Sequence, residues 1–266
     1  MSGSAISSVR RNSNSRLLWV LGLLLAAPFV TEAHPADDPE PVPAWFVQPP
    51  SSNGLWAVGY ARTYATWTTS VAEAKADAYT RLRHRWAAQL TGERLYETTP
   101  GVPMTFRGAR QERTPLRDTL RSVTYVDSAR IGKLTVVLAH VPTTKGHSPA
   151  PVSALRRPFS ETPPDWVDGG PAPEGPTVRA VGIAPRYYYP ASSWALAEHY
   201  GWWTLAARAA ARVDRLRQTT AGIQHTVTRV RASATLRRVR VVARWQDADA
   251  CYVLLEASVR PRAVDP

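Results

Sequence analysis

Two stretches of the chain pass through the same succession of apolar and polar positions. Leu55 to Ala61 and Val178 to Ala184 are short apolar runs of strand length. Each follows a Pro-x-Trp, Pro43-Ala44-Trp45 and Pro164-Asp165-Trp166. Each also carries a glycine, Gly59 or Gly182, which marks a bulge or a close backbone approach. Both stretches then turn helical. Ser70-Val71-Ala72-Glu73 reads as a capping box, the Ser70 hydroxyl taking an orphan N–H while Glu73 reaches back to the cap. Val71, Ala74, Ala78, Leu82, Trp86 and Leu90 follow at three- and four-residue steps until Gly92. Ser192 or Ser193 opens a longer helix expected to reach about Arg217, with Trp202, Ala206, Ala209, Val213 and Leu216 as its stripe.

The segment after each helix has no clear period. A strand pair then closes each stretch. Ala129-Arg130 precedes Leu134 to Val141, and Ala243-Arg244 precedes Tyr252 to Val259. Val239, Val241, Ala243 and Trp245 alternate with Arg238, Arg240, Val242 and Arg244, which predicts a half-buried strand with a basic outer face. Strand, helix, ambiguous segment, strand, strand is an α+β order. The motif order predicts two tandem copies of one small domain, each a helix packed on a mainly antiparallel sheet. The expected boundaries are 43–141 for the first module and 164–261 for the second. A Pro-rich linker, 142–163, separates them, and a Pro- and acid-rich leader, 34–42, precedes them.

Ahead of the leader, Arg10, Arg11 and Arg16 stand before an uncharged run from Leu17 to Val30. That run is short for a membrane span and right for an export signal, so residues 1–33 are expected to be a cleaved signal. A membrane contact is expected only through this segment, should it stay attached. Leu25-Ala26-Ala27 is followed by Pro28 where a lipoprotein has its acylated cysteine, so no lipidation is expected. The expected location is periplasmic or extracellular. Cys251 is the sole cysteine, which excludes an intrachain disulfide. The 33 Lys and Arg against 21 Asp and Glu give a net charge of +12.

The charge brings in partners but no chemistry. His34, His84, His140, His147, His199 and His225 show no metal-ligand spacing. No phosphate-cradling glycine loop or nucleophile elbow is present. The sequence therefore offers no catalytic, cofactor-binding or metal-binding residue, and no enzyme is expected. Glu198-His199 is a noteworthy pair, although adjacent helical residues point apart. Two features suit binding. Tyr187, Tyr188, Tyr189 and Trp194 begin an aromatic-rich stretch, and three consecutive Tyr cannot all face one core. From Arg208 to Arg244 ten Arg face one acid, Asp214. Arg238, Arg240 and Arg244 should line one strand as a basic strip for an envelope protein or an anionic envelope polymer. Nucleic acid fits the charge but not the compartment.

The combined order of Pro-x-Trp, Ala-Val-Gly-x-Ala, an Ala-rich helix and a closing Trp…Tyr-Val-Leu-Leu block resembles the Lpp-twenty family of bacterial surface lipoproteins. It is also similar to the N-terminal modules of flagellar outer-membrane accessory proteins. The residues carrying the resemblance are Trp45, Gly59, Glu73 and Arg83 in the first stretch and Trp166, Gly182, Arg208 and Trp245 in the second, with Glu198 added to that signature. The resemblance implies a small α+β envelope domain with no established catalytic residues. The expected function is an exported bacterial cell-envelope protein whose modules bind or scaffold a partner. The alternatives are an anion- or glycan-binding protein using its Arg and aromatic surface, and a hydrolase with an unrecognised site.

Overall fold

A computed structural model describes residues 41–51, 54–98, 103–116, 119–142, 152–153, 155–168, 177–220 and 223–258, with backbone alone for 212–220 and 223–225. The expected export segment, nearly all of the leader, residues 143–151 of the linker and residues 259–261 lie outside the described residues.

The chain order is β1 (Val42–Pro43), α1 (Ala44–Val47), β2 (Leu55–Arg62), α2 (Trp67–Trp86), β3 (Ala87–Thr98), β4 (Thr105–Pro115), β5 (Thr124–Ile131), β6 (Leu134–Val141) and β7 (Arg156–Arg157). A single 3-10 turn (Asp165–Asp168) leads to β8 (Thr177–Pro185), α3 (Pro190–Ala210), β9 (Ala211–Thr220), β10 (Ile223–Gln246) and β11 (Ala250–Ser258). The fold is mixed α/β, and every strand pairing is antiparallel. One sheet has the order β2-β6-β5; a larger one runs β4-β3-β10-β11-β8, with β9 also on β10.

Helix α2 starts earlier than the capping box suggests. Thr66 is the N-cap, and its hydroxyl accepts from the Thr69 N–H at 3.4 Å. Ser70 lies inside the first turn, where its Oγ accepts the Tyr64 N–H at 2.8 Å and donates to Thr66 O at 3.1 Å. The buried stripe of α2 is Ser70, Ala74, Ala78, Leu82 and Arg85. Helix α3 opens on Pro190, which suits the first helical position. There Ser193 Oγ accepts the Tyr187 N–H at 2.8 Å. Its buried positions spread around much of the helix, from Ser193 and Trp194 to Leu205 and Ala206. A helix buried so broadly sits inside the molecule, and α3 touches β8, β10 and β11 as well as β2 and β6.

Both helices end before the apolar stripe does. Leu90 and Gly92 belong to β3, and the segment 211–220, expected to continue α3 to about Arg217, is β9. The reason is tertiary. Residues 87–98 pair without interruption with 226–237 of β10, and 211–220 pair with 223–232. These ladders satisfy every other backbone group over ten or more residues, outweighing a local helix preference worth a few tenths of a kcal/mol per residue.

The two glycines sit under the helices. A Cβ on Gly59 would overlap Ala74 O and the Ala78 backbone nitrogen; a Cβ on Gly182 would overlap Ala197 O and the Gly201 backbone nitrogen. Each strand therefore carries helix backbone directly on its peptide. Gly59 pairs with Val137 and Gly182 with Val253 on the adjacent strand.

The expected linker is partly stitched to the body. Arg156 and Arg157 pair with Pro43 and Val42, the Ala44 N–H donates to Leu155 O, and Phe159 stacks on Trp194. Backbone pairing and the partly buried Val152 and Phe159 together hold this segment to the body.

Candidate functional site

The most buried charges of the described chain meet at one point, supplied by four elements. Glu198 of α3 is 2% exposed, and Arg85 of α2 and Arg244 of β10 are each 1% exposed. Glu198 Oε2 accepts Arg81 Nη1 at 2.8 Å and Arg85 Nη2 at 3.0 Å. Its Oε1 accepts Arg244 Nη2 at 3.0 Å and the Tyr60 hydroxyl at 2.5 Å. Tyr60 Oη in turn accepts Arg244 Nε at 2.9 Å. Arg85 Nη1 donates to Trp56 O at 2.6 Å and Arg244 Nη1 to Phe46 O at 2.8 Å, while Arg85 Nε is buried with no hydrogen-bond partner among the described residues. Asp77 closes the set, taking Arg81 Nε at 2.6 Å and the Tyr60 N–H at 2.7 Å.

Burial alone pushes the Glu198 carboxyl up, yet Arg85, Arg81, Arg244 and the Tyr60 hydroxyl together hold it far below the usual carboxylate range. Burial raises the Tyr60 phenol well above its ordinary value, so it stays protonated and donates. Burial pulls Arg85 down, but a guanidinium starts high enough to remain charged. The centre is thus a carboxylate held by three cations, rigid and closed.

His84 lies beside it. Its Nδ1 is buried with no hydrogen-bond partner among the described residues. Burial, then the charges of Arg113 and Arg83, hold its pKa down at about 4. The unfolded chain takes up this proton near pH 6.5, whereas the folded chain resists it until about pH 4. Stability should therefore fall as pH drops through that window. Urea midpoints at pH 7 and 4.5 should differ less for His84→Gln than for the parent; an equal difference would put the acid sensitivity elsewhere.

The sequence-predicted binding residues separate into three places. Arg244 belongs to the buried centre and not to an outer strip. The β10–β11 register is irregular between Arg237 and Arg240 and again between Val241 and Ala243. The second irregularity inverts the alternation, so Arg244 enters the core behind Val241. Arg240 stays near the surface and donates from Nη2 to Glu256 Oε1 at 2.6 Å. Arg238 is exposed, with a positive φ of 50°. The expected basic strip of three is therefore not formed.

Trp194 is likewise core, stacked on Phe159 and edge-on to Phe46. The three tyrosines are exposed, Tyr188 by 71%. Lys133 Nζ lies 3.7 Å from the Tyr188 ring centre, and the Arg62 guanidinium lies 3.8 Å from that of Tyr189. Tyr64 and Trp67 are also exposed, with Arg130 5.6 Å from the Trp67 ring. The β2–α2 loop, the β5–β6 turn and the β8–α3 loop thus make one aromatic and cationic rim.

Of the signature residues, Trp45 is buried and donates Nε1 to Asp127 Oδ2 at 2.8 Å. Trp166 is half-buried in the 3-10 turn. Glu73 is exposed and hydrogen-bonds Tyr64, whose phenol pKa that bond raises. Arg83 is half-buried on α2. Arg208 donates to Arg179 O. Trp245 is buried, with Nε1 on Ser160 O at 2.8 Å.

Cys251 is buried, which pushes its thiol up to about 12. Among the described residues no group of three or more His, Cys, Asp or Glu could hold a metal ion, and no helix is long and apolar enough to cross a membrane. Comparison with protein-family models, curated proteins and solved structures finds no match to this chain.

Arg81 and Arg85 flank His84 on a helix face whose charges suggest solvation, yet both turn to Glu198, and nothing local marks Tyr60. The signal was available, since Glu198 falls in register with Trp194 and Trp202, and Arg85 with Ala78 and Leu82, on otherwise apolar stripes. A charge on such a stripe requires a buried partner.

Proposed function

We propose that the chain is an exported bacterial cell-envelope protein built from two tandem copies of one α+β module, and that the pair binds or scaffolds an envelope partner. One observation carries this reading: the same contacts recur at one constant interval. The interval from Gly59 to Gly182 also separates Ser70 from Ser193, and the pair Arg85 and Trp56 from the pair Arg208 and Arg179. Aligned on those glycines and their cross-strand partners Val137 and Val253, Arg244 corresponds to Ser128 rather than Arg130. The Glu198 centre then joins the copies, with Tyr60, Arg81 and Arg85 from one and Glu198 and Arg244 from the other.

A locked pair is a rigid platform, and a rigid platform keeps an exposed rim preorganised for a partner. Tyr187, Tyr188 and Tyr189 offer amphipathic rings backed by Arg62 and Lys133, the chemistry of an interface anchor. The resemblance to Lpp-twenty proteins and the expected export segment support the compartment. The stacked cations favour an anionic polymer or glycan as the alternative partner.

The test is fractionation of the full chain with its export segment, followed by sedimentation of the purified protein with envelope fragments. The expected result is an exported protein whose sedimentation with fragments drops several-fold on replacing all three tyrosines with serine. The melting temperature should hardly move, because exposed side chains contribute little to stability. Cytosolic retention, or equal sedimentation of the triple variant, would refute the reading.

A further inference from the structure

A second, smaller feature lies where the α1–β2 connection meets the open end of the β10–β11 hairpin. A cavity of about 310 Å³ has a mainly polar lining, with Arg238, Arg240, Glu256, Ser51 and Ser258 around it and the buried Leu55 and Trp56 at its base. Its size falls at the lower end of small-ligand sites, and it opens between two parts of the fold, a common place for one.

The charge balance at this cavity is uneven. Glu256 accepts Arg179 Nε at 2.8 Å and Arg240 Nη2 at 2.6 Å, so one carboxylate already serves two guanidiniums. Arg238 adds a third cation, with no acid partner among the described residues. Ser51 and Ser258 supply hydroxyls on the same wall.

The backbone points the same way. Arg238 and Val239 together face the single residue Ala257, the count of a β-bulge, and bulges re-aim side chains. Arg238 sits there at φ 50°, a left-handed conformation that disfavours any residue with a Cβ. Glycine would relieve that strain, yet the position carries a cation aimed at a cavity with excess positive charge. Strain held at a concave, charged place is a mark of a binding position.

We propose that this cavity binds a small oxyanion, a carboxylate or phosphate. Arg238 and Arg240 take the anion, with Ser51 and Ser258 on the same lining. The proposal stands apart from the envelope-scaffold reading and survives its failure.

Phenyl phosphate, inorganic phosphate and sodium chloride at matched ionic strength are the probes, followed by the arginine Nε–H and tryptophan indole resonances of the intact protein. The expected result is a saturable shift at Arg238 and Trp56 with phenyl phosphate and with inorganic phosphate, and none with chloride. Arg238→Gly should weaken phenyl phosphate about tenfold or more, as loss of a charge-assisted contact does, while melting at the same or a higher temperature. Arg107→Gln, at an exposed site on β4, should bind as the parent does. Shifts that stay linear in concentration, that chloride reproduces, or that persist in Arg238→Gly would each overturn the assignment.

Discussion

Glu198→Gln is expected to lower the unfolding free energy by about 3–5 kcal/mol, the range for removing one partner of a buried ion pair. The substitution is nearly isosteric, so no cavity term enters. What changes is charge: Arg81, Arg85 and Arg244 lose the carboxylate all three share, leaving only Asp77 in contact, through Arg81. Against a typical stability of roughly 5–15 kcal/mol that loss is large. Arg85→Met should cost less, because Glu198 keeps Arg81, Arg244 and Tyr60. The double variant should be more stable than the two losses added together, since removing Arg85 also removes a cation stranded by the first change. Urea unfolding of the four proteins decides the matter. A Glu198→Gln midpoint equal to the parent's would mean the centre contributes nothing to the fold.

The acid behaviour of the same residue follows in sign. Its folded pKa is depressed, so its stabilisation is complete above the unfolded carboxylate value of about 4.3 and is lost as pH falls below that toward the folded value. Glu198→Gln should remove this branch of the acid sensitivity and leave the His84 branch, which acts at higher pH.

The elements legible in the sequence were those fixed by short-range pattern. The apolar runs at Leu55 and Val178 are strands, the stripe from Ala74 to Leu82 is helix, and the hairpin turn near Asp247 is where the alternation places it. The helix ends were not legible, because Ala87-Ala88 and the segment after Ala209 suit a helix locally. Their partners lie far off: 87–98 meets 226–237 across more than half the described chain. A pattern read in windows of a dozen residues carries no trace of such a partner.

The candidate site was legible in composition and misread in position. Geometry requires only that some of three consecutive tyrosines leave the core, since they cannot share one face; all three are in fact exposed. The fate of Arg244 turns on one extra residue, Val242, in the β10–β11 ladder. A one-residue slip exchanges the faces of a strand. Strict alternation therefore puts Arg244 in water with Arg238, while the bulge puts it against Glu198.

Alanine at Gly182 is expected to destabilise by about 3 kcal/mol, the upper end of what overpacking usually costs. The added methyl has nowhere to go. Its position overlaps Ala197 O and the Gly201 backbone of α3, and backbone in a helix cannot rotate aside as a flexible side chain can. Relief requires α3 to lift from β8 and β11, opening the core that holds Trp194, Trp202 and Leu205. Gly59→Ala should behave alike through Ala74 and Ala78 of α2, with valine worse at either position. Gly108 in β4 is the internal control, because a Cβ there meets nothing within 4 Å. Gly108→Ala should be neutral or slightly stabilising by restricting the unfolded chain. Urea midpoints for the three alanine variants should therefore fall into two groups, Gly59→Ala and Gly182→Ala far below Gly108→Ala. Three equal midpoints would show that helix and strand do not lie in backbone contact, and with that the reason for glycine at both places would be gone.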